Sequence, residues 1–165
     1  MQKLACWLEQ QASDLVCARG LADQVEFDGP ETCRSCVYIN SSASKPSQLA
    51  ALIHECGHVI INRRRRRSQQ RRIFGFRHSE WWKARRPSQH WKLAELQEEL
   101  AAWDVGMELA QRLRVRVSLR RLRCCRSRAL MTYVRALSGV KVRAHNVRWK
   151  RTARAASSTR SSSLR

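Results

Sequence analysis

His54-Glu55-Cys56-Gly57-His58 is the stretch from which the rest of the chain is read. Wound as a helix, residues four apart lie roughly 40° from each other around the axis, so both imidazoles reach one metal ion from a single face. The glutamate beside the first histidine is then set to touch a water at the metal rather than the metal itself. The spacing predicts a helix from about 48 to 62, capped by Ser47 after the polar loop 40–46. Its buried stripe is Leu49, Leu52, Ile53, Cys56, Val59 and Ile60, at intervals of three and four. His54 and His58 fall beside that stripe, on the border facing a neighbouring element.

A second helix is expected over 92–113, with Leu93, Leu96, Leu100, Trp103 and Met107 on its apolar side. Glu99 shares a face with Ala102 and Gly106, and small residues there let this helix approach the first one closely. A carboxylate at such a crossing is what a third metal ligand from another helix requires. Glu99 is therefore the candidate third ligand, with Glu98 as its substitute.

Upstream, residues 2–19 place Leu4, Trp7, Leu8, Leu15 and Val16 near one helical face, with Gly20 as a stop. Gln24–Phe27 and Cys36–Ile39 read as two short strands around an Asp28-Gly29-Pro30 turn, forming a β-hairpin or sheet edge that could dock an extended peptide. Downstream, Val115, Val117 and Leu119 alternate with arginines as a short strand or loop. A last helix is expected over 127–138, with Leu130, Tyr133, Val134 and Leu137 inward. The fold class expected is α+β, mostly helical. Residues 1–138 form one domain and the Arg/Ser-rich residues 139–165 a disordered basic tail.

The net charge of +20 is unevenly spread. Residues 1–62 carry −3 and 93–111 carry −5, whereas 63–92 carry +11 and 112–165 carry +17. The candidate chemistry thus sits in the acidic blocks. The basic blocks suggest contact with nucleic acid or another polyanion, or else a solvated loop and tail. Between the two helices, 63–91 is an insertion rich in arginine and aromatics (Phe74, Phe76, Trp81, Trp82, Trp91). It can stack on unpaired bases or pack as a lid over the site. Seven cysteines with no secretory pattern in front of them, and no apolar run long enough to span a bilayer, suggest a cytoplasmic protein with reduced thiols. Cys33-x-x-Cys36 with Cys124-Cys125 lacks the paired spacing of a second zinc site.

Three features resemble the gluzincin zinc metallopeptidases, especially the small ImmA/IrrE-like proteins of phages and mobile elements. They are Ile39-Asn40 and a polar loop leading into Gln48–Ile53, the H-E-C-G-H run itself, and Glu99-x-x-Ala102-Trp103-x-x-Gly106. The resemblance implies His54, His58 and Glu99 as Zn2+ ligands and Glu55 as general base. It implies a peptidase acting on a protein or peptide substrate. In such a mechanism zinc holds the oxyanion, and His78, His90 and Tyr133 are three open candidates to assist it. One departure stands out: many gluzincins carry an Asp or Asn four residues after the ligand glutamate, bracing a ligand histidine, and here that position is Trp103. The competing expectation is a basic nucleic-acid-binding or regulatory protein whose zinc site is structural or degenerate.

Overall fold

The computed structural model describes residues 1–28, 34–67, 72–73, 76–77 and 89–138. Within these the chain is α+β and mostly helical, and no helix is long and apolar enough to cross a membrane. The order is α1 (Gln2–Gln10), β1 (Ser13–Ala18), β2 (Gln24–Phe27), β3 (Ser35–Asn40), α2 (Lys45–Arg67), β4 (Arg72–Ile73), β5 (Phe76–Arg77), α3 (Gln89–Arg112) and α4 (Leu119–Leu137).

The first helix is shorter than its sequence suggests. It buries Leu4 and Leu8 and stops at Gln10. Ala12 then takes a left-handed φ of 48° and turns the chain into a strand. Leu15 and Val16 therefore belong to β1, not to a helical face. β1 runs parallel to β3 from Ser13↔Ser35 to Ala18↔Asn40, so the expected hairpin is one half of a mixed three-stranded sheet ordered β1-β3-β2. The antiparallel half pairs Gln24–Phe27 with Ser35–Tyr38 as the sequence suggests. β-Branched and apolar side chains at Val25, Val37 and Ile39 point into the core from its central strand and one edge.

α2 begins earlier and ends later than expected. Ser44, not Ser47, precedes its first turn; the Ser44 carbonyl accepts from the Ser47 and Gln48 N–H groups, and Pro46 sits where no amide partner is lost. Every residue from Leu52 to Val59 is buried, because α2 is enclosed by the sheet and by α1, α3 and α4. α4 likewise starts eight residues early, at Leu119, which is exposed rather than part of a strand. Leu122 is its fully buried anchor, while Val134 points out. On α3, Leu93 is also exposed; the buried side is made of Ala94, Ala102, Trp103, Gly106, Leu109 and Ala110.

That small-residue side packs α3 tightly against α2. A Cβ on Gly57 would meet the carbonyl oxygen of Ala102, and one on Gly106 would meet the carbonyl oxygen of Ile53. The two helices thus touch backbone to backbone at two points, one just before the His54–His58 run at Ile53 and one within it at Gly57. Lys3 Nζ donates to the carbonyls of Leu113 (3.0 Å) and Arg114 (3.3 Å), satisfying the C-terminus of α3 from α1. Most of the insertion 63–91 and all of the tail 139–165 lie outside the described residues, as do Cys33 and the Gly29-Pro30 turn.

Candidate metal centre

His54 and His58 stand one turn apart on α2, and Glu99 faces them from α3. With one donor atom taken from each, all lie within 4.8 Å of one another, the one such group among the described residues. The two Nε2 atoms face each other at 3.2 Å. Glu99 offers Oε2 to His54 Nε2 at 3.0 Å and Oε1 to His58 Nε2 at 3.5 Å. Ligand atoms about 2.0–2.1 Å from a tetrahedral zinc lie about 3.3 Å apart, so these three separations bracket the edge of such a polyhedron. Two imidazole nitrogens that close need either a shared proton or a shared cation. The donor set fits a metal ion of the zinc type.

The surroundings of the two rings differ. His58 Nδ1 lies 3.6 Å from Glu98 Oε1, an ion-pair distance rather than a hydrogen bond. Glu98 is held in turn by Arg65, whose Nη2 is 3.0 Å from Oε2. Glu98 therefore faces the Nδ1 side of the His58 ring and Glu99 the Nε2 side, and the group of three that could hold an ion includes Glu99 and not Glu98. Among the described residues His54 Nδ1 has no such carboxylate. Its ring stacks on Trp103 with centroids 4.5 Å apart and planes 22° apart. Its buried Nδ1 has no hydrogen-bond partner among the described residues, and neither has Trp103 Nε1. Where an Asp or Asn would brace a histidine through a hydrogen bond, an indole braces it through a face.

Glu55 is 4 % exposed, and its Oε2 also lacks a hydrogen-bond partner among the described residues. A buried carboxylate oxygen left without a donor is costly unless it has work at the site. Burial pushes the neighbouring Cys56 thiol up, with the Glu55 charge adding to it, so Cys56 is no thiolate nucleophile near neutral pH.

The charges are strongly coupled. Burial alone lowers the His58 pKa, but the charge of Glu99 and contacts to Glu98 and Glu99 override it and bring it up to about 10. Burial opposes ionisation of Glu99, yet His58 and His54 hold its carboxyl well below the usual range. For Glu98 burial is again the opposing effect, overcome by His58 and Arg65. Tyr133, on α4, turns its hydroxyl toward Glu99; burial first, then the charges of Glu99 and Glu95, keep the phenol protonated. Of the three oxyanion candidates Tyr133 is brought to the site. His78 and the His90 side chain lie outside the described residues.

Asp23 is a neighbour of the site that sequence reasoning missed. Its Oδ1 accepts the Asn40 N–H at 2.7 Å, tying the start of β2 to the end of β3. Though exposed by area, it is crowded enough that desolvation raises its pKa; the Asn40 bond opposes this and the Glu55 charge adds to it. Nothing in Leu21-Ala22-Asp23 signals this, because only the strand pairing carries it toward α2. The six described cysteines are free, and none joins a metal-binding group.

Comparison of the chain with models of protein families, with curated proteins and with solved structures gives no match. The reading of the site rests on its own residues.

Proposed function

We propose that the protein is a zinc-dependent peptidase, with His54, His58 and Glu99 as the metal seat and Glu55 as the proton-transfer group. The observation that carries the reading is the buried Glu55 Oε2, without a hydrogen-bond partner among the described residues and with its charge felt at His58, beside three donors spaced for one tetrahedral cation. Zinc held there supplies Lewis acidity, lowering the pKa of water to about 7 and polarising a carbonyl. Glu55 Oε2 takes the proton from the attacking water and returns it to the leaving amine nitrogen. Tyr133 keeps its hydroxyl proton and can donate it toward the oxygen that gains charge on the scissile carbonyl.

Three facts favour a catalytic over a purely structural metal. Structural zinc takes four protein ligands. Only three donors converge among the described residues, since Glu98 is committed to Arg65 and His58. Cys56, on the same helix, is buried with its thiol protonated, away from that set.

The test is zinc content and peptide hydrolysis of the wild type, Glu55→Gln and His58→Ala. The reading expects Glu55→Gln to keep zinc and lose hydrolysis, and His58→Ala to lose both. Equal hydrolysis by wild type and Glu55→Gln would remove the mechanism.

A further inference from the structure

α4 and the loop before it carry a charge that the metal centre does not use. Residues 112–137 hold nine arginines, no lysine and no acid. Eight of the nine are exposed: Arg126 alone is half-buried, in an ion pair with Asp104 Oδ1 at 2.7 Å. Arg121 Nη2 reaches the Ser44 hydroxyl at 3.2 Å.

Local stability does not account for this. Arg120 and Arg121 stand in the first turn of α4, where the helix dipole repels cations, and no acid lies in that turn to offset them. Arg120 and Arg123 are like charges three apart, which also disfavours the helix. The apolar side of α4 is turned inward at Leu122, Ala129 and Leu130, and its exposed apolar groups (Leu119, Met131 and Val134) alternate around the helix with the arginines instead of forming the separate apolar face that enters a lipid interface.

We propose that the outward face of α4 docks on the phosphate backbone of duplex DNA. Helical geometry puts Arg120, Arg123, Arg128 and Arg135 within an arc of roughly 140° opposite Leu122, along about 22 Å of axis. All four are exposed. That length matches about six successive phosphates of one strand. Arg128 and Arg135 also border a shallow groove of about 420 Å³ with Ser127, Met131 and Thr132, room for a backbone group between two guanidiniums. The exclusive use of arginine fits bidentate pairing with phosphate oxygens better than a general need for charge. B-form DNA offers a groove about 12 Å wide to a helix, whereas A-form RNA does not admit one, so DNA is the better fit. The inference is independent of the peptidase reading.

The experiment is anisotropy of a 20-base-pair DNA duplex with the full chain between 50 and 200 mM salt. It compares wild type, Glu55→Gln, a fourfold Arg→Gln variant at 120, 123, 128 and 135, and the matching fourfold Arg→Lys variant. Four phosphate contacts predict that the Gln variant flattens the slope of log K against log salt by about 3–4, so that between 50 and 200 mM the wild type loses about a hundredfold more affinity than the variant. The Lys variant keeps most of the slope and shows by circular dichroism, with the Gln variant, that the helix is intact. Glu55→Gln binds as wild type does. No binding by wild type, or equal slopes for wild type and the Gln variant, overturns the proposal. So does tighter binding of duplex RNA or phosphatidylserine vesicles that the same substitutions abolish.

Discussion

Gly57 lies against the carbonyl oxygen of Ala102 with no room for a side chain between them. The contact explains why a residue inside the His54–His58 run is glycine despite its cost in a helix interior. It sets how far α3 stands from α2, and so whether Glu99 reaches two rings on the other helix.

Gly57→Ala and Gly106→Ala each force backbone against backbone, which no rotamer change relieves. Each is expected to destabilise the protein by about 3 kcal/mol, the upper end for overpacking, or about 10 °C in melting temperature. Metal affinity falls with them, because the helices must part. A thermal melt and a chelator competition check both; either alanine variant with unchanged melting and zinc affinity would refute the contact.

The grouping of His54, His58 and Glu99 was more legible in sequence than the fold around it. His54, His58 and Glu99 could be placed because helical spacing relates residues one turn apart, and Ala102 and Gly106 marked a close crossing. The strand at Ser13–Ala18 was hidden because its partner is parallel and more than twenty residues away, a pairing that leaves no local pattern. Leu93 and Val134 misled because large apolar side chains outweigh alanine and glycine in any apolar stripe, whereas α3 packs through its small residues. The bracing of His58 by Glu98 and Arg65 depends on which way α3 is rotated, and that follows only from the two glycine contacts.

If the protein binds zinc as proposed, the metal must displace a proton from His58. Burial lowers the pKa of that ring, but the charge of Glu99 and the contacts to Glu98 and Glu99 push it up from 6.5 to about 10. Its protonation therefore stabilises the fold fully below pH 6.5, and that contribution is lost as pH rises through about 10. Glu98 and Glu99 are lowered, so their contribution is present above pH 4.5 and lost as pH falls below it. Zinc binding at pH 7 is expected to release about one proton from His58. Titration calorimetry in two buffers of different ionisation enthalpy reads that number directly, and a buffer-independent heat would contradict it.

Trp103 stacks on the His54 ring, and neither His54 Nδ1 nor Trp103 Nε1 has a hydrogen-bond partner among the described residues. Trp103→Phe keeps an aromatic face and should leave zinc affinity within a few-fold. Trp103→Leu frees the ring and should weaken binding by tenfold or more, the usual effect of losing a group that orients a ligand. Competition against a chromophoric chelator distinguishes the two. Equal losses in both variants would mean that packing volume, not the aromatic face, is what positions His54.

Glu98 and Glu99 are adjacent in sequence but predicted to fail differently. Glu99 faces both Nε2 atoms, so Glu99→Gln removes an anionic ligand and should abolish stoichiometric zinc binding. Glu98 faces only His58 Nδ1 and is tied to Arg65, so Glu98→Gln should keep the metal at about tenfold lower affinity. The two variants also separate in their rescue by zinc. Glu98→Gln removes one lowered carboxyl, so it should lower stability at pH 7 more than at pH 4 and flatten the loss in acid, while zinc still rescues the fold. Glu99→Gln should do the same without rescue. Melting curves at pH 4 and pH 7, with and without zinc, decide the matter, and a Glu98→Gln variant that loses zinc altogether would move the third ligand to Glu98.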